Sequence, residues 1–345
     1  MQQIWPVDVG SRQPAGIAVT RNERRALQAA IITHFFGHKM RVFRGFSRPV
    51  PGPTALAIGN FDGVHRGHGA LLGRLGEVAR QSALPPSILT FEPHPREFFS
   101  PASAPARLTT FREKLELLAD AGVEQAMVCR FNAAFAALSA DQFIEQVLVR
   151  GLCVRHLIIG DDFRFGQARA GDFALLQKAG ACHGFAVEAM GSVTVDGERV
   201  SSSGVRQALA IGDMEHAARL LGRPYIIDGQ VAHGDKIGRQ LGFATANIRI
   251  KHNPLPMAGV FAVEVSGLGD KPWPGVANLG IRPTVGGTRP LLEVHLFDFD
   301  RDIYGAHISV RFVHKLRNEQ RFPNFDALKA QIAADAAAAR AFFTL

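Results

Sequence analysis

Two imidazoles, His65 and His68, lie three residues apart in the segment G-N-F-D-G-V-H-R-G-H-G at 59–69. A short apolar run, T-A-L-A-I-G, precedes it, and an amphipathic stretch, G-H-G-A-L-L-G-R-L-G-E-V-A-R, follows from its last residues. Strand, glycine-bearing loop and helix start, in that order, make a phosphate-handling arrangement. The first amides of a helix lack intrahelical partners, and the macrodipole adds positive potential there. Positions three apart share a helix face, so both rings can reach one ligand. Gly67 lets the backbone come close to it. Such a set can hold a triphosphate and stabilise charge on departing pyrophosphate. Spacing alone leaves two alternatives: histidines that only cap the helix, and half of a zinc site, for which no third ligand lies close in sequence.

The second constellation is H-G-D-K-I-G-R-Q-L-G-F-A-T-A-N-I at 233–248. Gly234, Gly238 and Gly242, with Lys236 and Arg239, can wrap amides and charge around phosphates. The string is not the G-x-x-x-x-G-K-[ST] loop. Thr245 and Asn247 alternate on an extended segment and so point the same way. Their neutral oxygens suit a Mg²⁺ that keeps water and borrows phosphate oxygens. On the later run L-E-V-H-L-F-D-F, Glu293, His295 and Phe297 share a strand face. For a lone Glu there, the plain reading is a solvated face.

These residues need elements to position them. From Thr54 onward apolar strands alternate with helices: S-I-L-T-F, a helix over 111–121, A-M-V-C-R, a helix over 140–150, H-L-I-I-G, a helix near 172–183, then F-A-V-E-A-M. That pattern predicts a parallel sheet covered on both faces. Ligands of such sheets bind beyond the carboxyl ends of the strands, where the loops after Ile58 and Ile159 fall. R-P-Y after Gly222 marks a boundary. Short apolar runs at 225–227, 259–265, 291–299 and 307–313, separated by Gly, Pro, Asn and Asp, predict a closed or nearly closed β-structure. An Ala-rich helix follows Asn324. The expected organisation is a leader over 1–39, an α/β domain over 40–222 and a β-barrel domain over 223–345. The leader carries a local charge of +3, is expected to pack weakly with one short helix over 22–36, and lies upstream of Met40, read as the working start. Lys114 and Glu116 are expected on a solvated helix face.

The chain of 345 residues is too long for one ordinary core. Charged residues at 20% and 35 glycines without a period exclude coiled coil and collagen. No apolar stretch reaches the ~18 residues of a membrane span. A formal charge of +8 favours anionic partners, and the scatter of Lys and Arg favours small anions over nucleic acid. Cys129, Cys153 and Cys182 form no C-x-x-C pair. Reduced, mostly buried thiols in a reducing cytoplasm are expected.

F-D-G-V-H-R-G-H resembles the signature loop of nucleotidyltransferases, and the fuller I-G-N-F-D-G-V-H-R-G-H resembles the bacterial bifunctional riboflavin kinase/FAD synthetases. T-F-E-P-H-P-R-E-F-F, G-D-D-F-R-F-G, V-S-S-S-G-V-R, G-V-A-N-L-G-I-R-P-T and the flavokinase-like string at 234–247 follow in the right order. The resemblance implies a Rossmann-like nucleotidyltransferase domain and a barrel riboflavin kinase domain. It implies that His65 and His68 bind ATP phosphates during adenylyl transfer, with Asn60 and Asp62 shaping the loop. Ser201, Ser202, Ser203 and Arg206 would form a second phosphate clamp; a helix cap is the compatible alternative for the serines. Asp162 would contact nucleotide or flavin. His94 would sit in a rigid loop near the flavin. Glu293 would be the general base toward the riboflavin 5′-hydroxyl, and Asn278 and Arg282 would contact flavin or nucleotide. Riboflavin, FMN, FAD, ATP and Mg²⁺ are the implied small-molecule set. Ala244 stands where that family's string has proline, which removes no ligand but loosens the segment before Thr245.

Overall fold

The computed structural model describes residues 30–35, 38–46, 49–233, 243–252, 254–284 and 287–345. The first half is built on β1 (Ala30–Phe35), β2 (His38–Arg44), β3 (Thr54–Ile58), β4 (Pro86–Glu92), β5 (Gln125–Arg130), β6 (Val154–Gly160) and β7 (Ala186–Met190). Their order is β1-β2-β5-β4-β3-β6-β7. β2 to β7 run parallel, and β1 pairs antiparallel at the edge. Alternation along β3 divides the core. Ala55 and Ala57 face one layer with helices α1 (Arg66–Ser82) and α2 (Phe111–Asp120). Leu56 and Ile58 face the other, with the helical run Phe143–Gly151 and α3 (Phe173–His183).

Three local expectations change. Ala30–Phe35 is a strand, not part of a helix over 22–36. Its Ile31, Ile32 and Thr33 are β-branched and find a ladder on β2. The helix expected over 140–150 begins as Ala140–Gln142 and continues as a π-helix over Phe143–Gly151. Of the three free thiols only Cys129 is buried; Cys153 is half-buried and Cys182 exposed.

A ribbon, β8 (Thr194–Val195) and β9 (Glu198–Arg199), leads into α4 (Ser202–Ile211) and α5 (Met214–Leu221). The barrel comprises β10 (Ile226–Ala232), β11 (Ala246–Arg249), β12 (Gly259–Ser266), β13 (Trp273–Thr284), β14 (Gly287–Leu296) and β15 (His307–Arg317). It closes in the order β10-β11-β14-β13-β12-β15, with β10 pairing back on β15. Ile227, Val263, Val294 and Val310 fill its interior, and the same core runs without a break into Val205, Leu209 and Leu220 of α4 and α5. Helix α6 (Phe325–Phe343) covers the outer barrel face, burying Ala336 and Ala339 against Val260 and Ala262.

The two halves also meet through charge. Thr110 caps α2, and Glu113 completes the capping box. Glu113 Oε2 lies 3.3 Å from Nε2 of the buried His252, within ion-pair reach but outside good hydrogen-bond geometry. Oε1 of Glu113 accepts the Asp228 N–H at 3.4 Å. Burial works to raise the Glu113 pKa, but the His252 imidazole and Thr110 donors outweigh it and hold the carboxyl below its usual 4.5. A depressed carboxyl pKa contributes stability above the unfolded value, lost as pH falls through the folded one. Glu113→Gln should therefore cost about 1–3 kcal/mol in denaturant unfolding at neutral pH, with the gap to the parent closing as pH drops below 4.5.

Candidate active sites

The loop after β3 is held from many sides. Phe61, Gly63 and Val64 all have left-handed φ, at 49°, 81° and 39°. A Cβ on Gly63 would also stand 2.7 Å from Leu108 Cδ1, so only glycine fits there. Asp62, 5% exposed, accepts the Leu108 N–H at 3.0 Å, the Thr109 N–H at 3.2 Å and Nη2 of Arg206 at 2.5 Å. Ser202 Oγ donates to the Asp62 carbonyl at 2.9 Å. Arg223 donates to the carbonyls of Gly63 and Val64 at 2.7 and 3.0 Å.

His65 caps α1, its Nδ1 accepting the His68 N–H at 3.3 Å. The proton of a neutral ring then resides on Nε2, which is left as the donor. The two rings stack, 3.7 Å between centroids at 16°, and Phe61 packs 5.2 Å from His68. Flat stacking is unlike two nitrogens converging on zinc. Burial pushes His65 down to about 4, against the pull of Asp62. Burial, then the neighbouring His65 and Lys114, hold His68 well below its usual value. Both are neutral donors at physiological pH. A Cβ on Gly67 would meet His65 Cε1 and Nδ1 at 3.2 Å, so this glycine admits the capping ring.

Both rings open on a cavity of about 1090 Å³. Its rim comes from segments at the carboxyl ends of the parallel strands: Gly59 and Asn60 after β3, Phe91 in β4, Phe131 after β5, Gly160–Asp162 at the end of β6 and Met190–Ser192 at the end of β7. The order reverses across β3, with β4 on one side and β6 on the other, which is where such sheets bind ligands. Phe91, Phe98, Phe99, Phe131 and Phe135 make an aromatic wall whose neighbouring rings lie 5.2–5.9 Å apart. His94 caps the short helix Pro95–Phe99 and lines the cavity. Asp162 lines it too, exposed and paired with Arg199 at 2.8 Å.

The serine–arginine group stands differently. Ser201 caps α4, accepting the Gly204 N–H at 3.1 Å. Ser202 and Arg206 tie the loop, Arg206 also donating from Nε to the Ala106 carbonyl at 2.6 Å. Ser203 is exposed. None of the four lines the cavity, although the preceding Arg199 and Val200 do. Lys114 was expected in solvent and is buried, 6% exposed. Its Nζ donates to the Asn60 carbonyl at 3.3 Å and Thr90 Oγ1 at 3.5 Å. Glu116 is half-buried and pairs with Arg112 at 2.8 Å.

In the barrel, Gly234, Lys236, Gly238 and Arg239 lie outside the described residues, as does the Arg282 side chain. Thr245 and Asn247 line a cavity of about 380 Å³ with Phe299, Asp300, Asp302 and Tyr304. Glu293 stands directly opposite Asn247 on one side and Asn278 on the other. Leu292, Val294 and Leu296 fill the interior, so Glu293 and His295 face outward. His295 Nδ1 donates to the Ala244 carbonyl at 2.8 Å, tying down the segment that lacks the proline.

An imidazole-capped helix start beside a strand-end cavity, fused to a closed barrel with an Asn–Glu–Asn row, defines a nucleotide-binding transferase with two separate sites. The FAD synthetase family model matches residues 47–204, and the riboflavin kinase model matches 221–343. Bifunctional riboflavin kinase/FMN adenylyltransferases from Escherichia coli K12 and Pseudomonas fluorescens are 52% and 50% identical, over 89% and 88% of this chain and 99% and 97% of theirs. A Streptococcus pneumoniae crystal structure described as a macrolide-efflux protein superposes with TM-score 0.75 at 27% identity, covering 87% of this chain and 98% of that one. Among the described residues no helix is long and apolar enough to cross a membrane. The chain belongs to the bifunctional riboflavin kinase/FMN adenylyltransferase family.

Lys114 is one of the buried charges behind this first site. Replacing it with methionine keeps the volume and removes the cation that repels protonation of His68. Lys114→Met should move the His68 titration to higher pH in ring-resolved NMR and slow adenylyl transfer roughly tenfold through the loosened Asn60 carbonyl.

Proposed function

We propose that the chain phosphorylates riboflavin to FMN in its barrel and adenylylates FMN to FAD, releasing pyrophosphate, in its α/β cavity. The observation that carries the reading is the His65–His68 pair, stacked at a helix start on the rim of an aromatic-walled cavity. Neutral imidazole donors and the first amides of α1 grip the ATP phosphates and stabilise charge passing to pyrophosphate. The phenylalanine wall offers flat apolar contact for a flavin ring. The nucleophile is the FMN phosphate, ionised at neutral pH, so the site needs donors and no strong base. Asp162, on the cavity lining, contacts nucleotide or flavin in this reading. Ser202 and Arg206 support phosphate binding by tying the loop that makes it, while Ser201 caps α4.

In the barrel, Glu293 accepts the proton of the riboflavin 5′-hydroxyl as that oxygen attacks the γ-phosphate of ATP. Asn247 and Asn278 flank it and orient the reacting groups. Thr245 and Asn247 offer neutral oxygens on a cavity wall, a donor set that fits Mg²⁺ shared with phosphates. When bound, the ion supplies charge neutralisation on the triphosphate. Gly234, Lys236, Gly238, Arg239 and Arg282 complete this reading as phosphate and flavin contacts. Free thiols fit a reducing compartment, and the cytoplasm is the proposed setting.

Purified protein given riboflavin, ATP and magnesium should yield FMN and FAD, separable by chromatography. His68→Ala should cut FAD formation by about 10²-fold or more and leave FMN formation intact. Glu293→Gln should do the reverse, on the order of 10²-fold on the kinase step. Loss of both activities in either variant would contradict two independent sites.

A further inference from the structure

We propose that Arg223, at the junction of the two halves, is a positioning residue for adenylyl transfer: its guanidinium fixes the two peptide groups that open α1 and thereby sets the grip on the ATP phosphates. The inference rests on the adenylyl-transfer reading of the α/β cavity. Arg223 donates to consecutive carbonyls, Gly63 at 2.7 Å and Val64 at 3.0 Å. Among the described residues no carboxylate lies within ion-pair distance of it. A desolvated guanidinium spent wholly on main-chain oxygens is a costly arrangement, and burial does weigh against its charged form. The fork of an arginine is the side chain that can hold two such oxygens at once.

What it holds is strained. Val64 is β-branched and has φ of 39°, next to Gly63 at 81°. Left-handed backbone is disfavoured for such a residue and persists only where its surroundings impose it. Because peptide units are planar, fixing the carbonyls of 63 and 64 fixes the N–H vectors of Val64 and His65. His65 is the cap of α1 and the stacking partner of His68. A shift of the two peptides would therefore shift both imidazoles.

The position of Arg223 is in turn set by docking. Gly222, with φ of 81°, terminates α5. A Cβ there would stand 3.0 Å from Arg66 Cγ, so the first residue of α1 packs over the junction itself. Two residues on, Tyr225 is buried in the core shared with the barrel. The adenylyl loop thus takes its shape partly from the chain segment that begins the kinase half.

The test uses full-length protein carrying Arg223→Ala or Arg223→Lys, with both reactions assayed and the histidine rings followed by NMR. Arg223→Ala should lower kcat/KM for ATP in FAD formation by roughly 10- to 100-fold, the range expected for hydrogen bonds from a charged donor. The KM for FMN and the kinase kinetics should stay within about twofold, and His65 and His68 resonances should shift. Added guanidinium ion should restore part of the Arg223→Ala activity. Arg223→Lys, with charge but no fork, should fall between. Should Arg223→Ala not fold, Arg223→Lys decides alone. Parent-like FAD formation in a folded variant, or equal loss in both reactions, overturns the inference. Absence of FAD formation by the parent protein would instead overturn the functional reading on which it rests.

Discussion

The buried carboxylate of Asp62 is the interaction on which the first site depends. Sealing a carboxylate from water is costly unless donors replace its hydration. Here the replacements are two main-chain amides from 108–109, the Thr109 hydroxyl and the Arg206 guanidinium. These groups come from the turn before α2 and from α4, so one side chain joins three segments distant in sequence. The Thr109 hydroxyl returns the tie by accepting the Gly63 N–H at 3.2 Å. A loop with three left-handed residues is therefore over-determined, which is the condition for backbone strain to persist.

That framework also explains the electrostatics. The cations nearest the imidazole pair, Lys114, Arg206 and Arg223, are each held by carbonyls, a hydroxyl or Asp62 and do not line the cavity. They act as fixed positive charge behind the wall. The two imidazoles themselves are neutral, since burial and these charges keep both unprotonated. Donors that are already oriented and uncharged are suited, in the proposed reading, to a triphosphate whose charge moves toward pyrophosphate. The barrel presents a different set, amide and hydroxyl oxygens on its cavity and a single carboxylate between two asparagines.

The parallel sheet was legible because its signals are local: apolar strands, helical periodicity and glycine-bearing loops repeat within windows of a few residues. The strand-end rule then placed the cavity without any contact information. The closing of the barrel was legible as a texture, but the pairing of β10 with β15 and the row Asn247–Glu293–Asn278 depend on long-range register that the sequence does not display. Lys114 was misplaced for a specific reason. Helix-face reasoning assigns charged positions to water, yet Glu113, Lys114 and Leu115 are all buried because the barrel half and the β3 loop cover the first turn of α2 from different sides. Arg223 carried a signal only as punctuation, the R-P-Y boundary; its partners lie about 160 residues earlier. The serine run read equally as a cap and as a phosphate clamp, and Ser201 does cap α4.

The first turn of α2 bears on how far the halves are separable. Glu113 turns toward His252 and Asp228 of the barrel half, and Lys114, the next residue, toward Asn60 of the adenylyl loop. The apolar core likewise continues from Leu209 and Leu220 into Tyr225 and Phe312. Cutting the chain after Gly222 would strip Arg223 from the loop, leave Glu113 without its imidazole and expose the apolar faces of α4 and α5. The first two losses fall on charged groups that burial already disfavours, and the third exposes the core they adjoin, so the consequences couple instead of adding as isolated surface changes would. The two cavities share no lining residue among those described, yet the packing that shapes one is partly supplied by the other half. Separate cavities and shared scaffolding are therefore compatible, because the linings are distinct while one apolar core runs from α4 and α5 into the barrel.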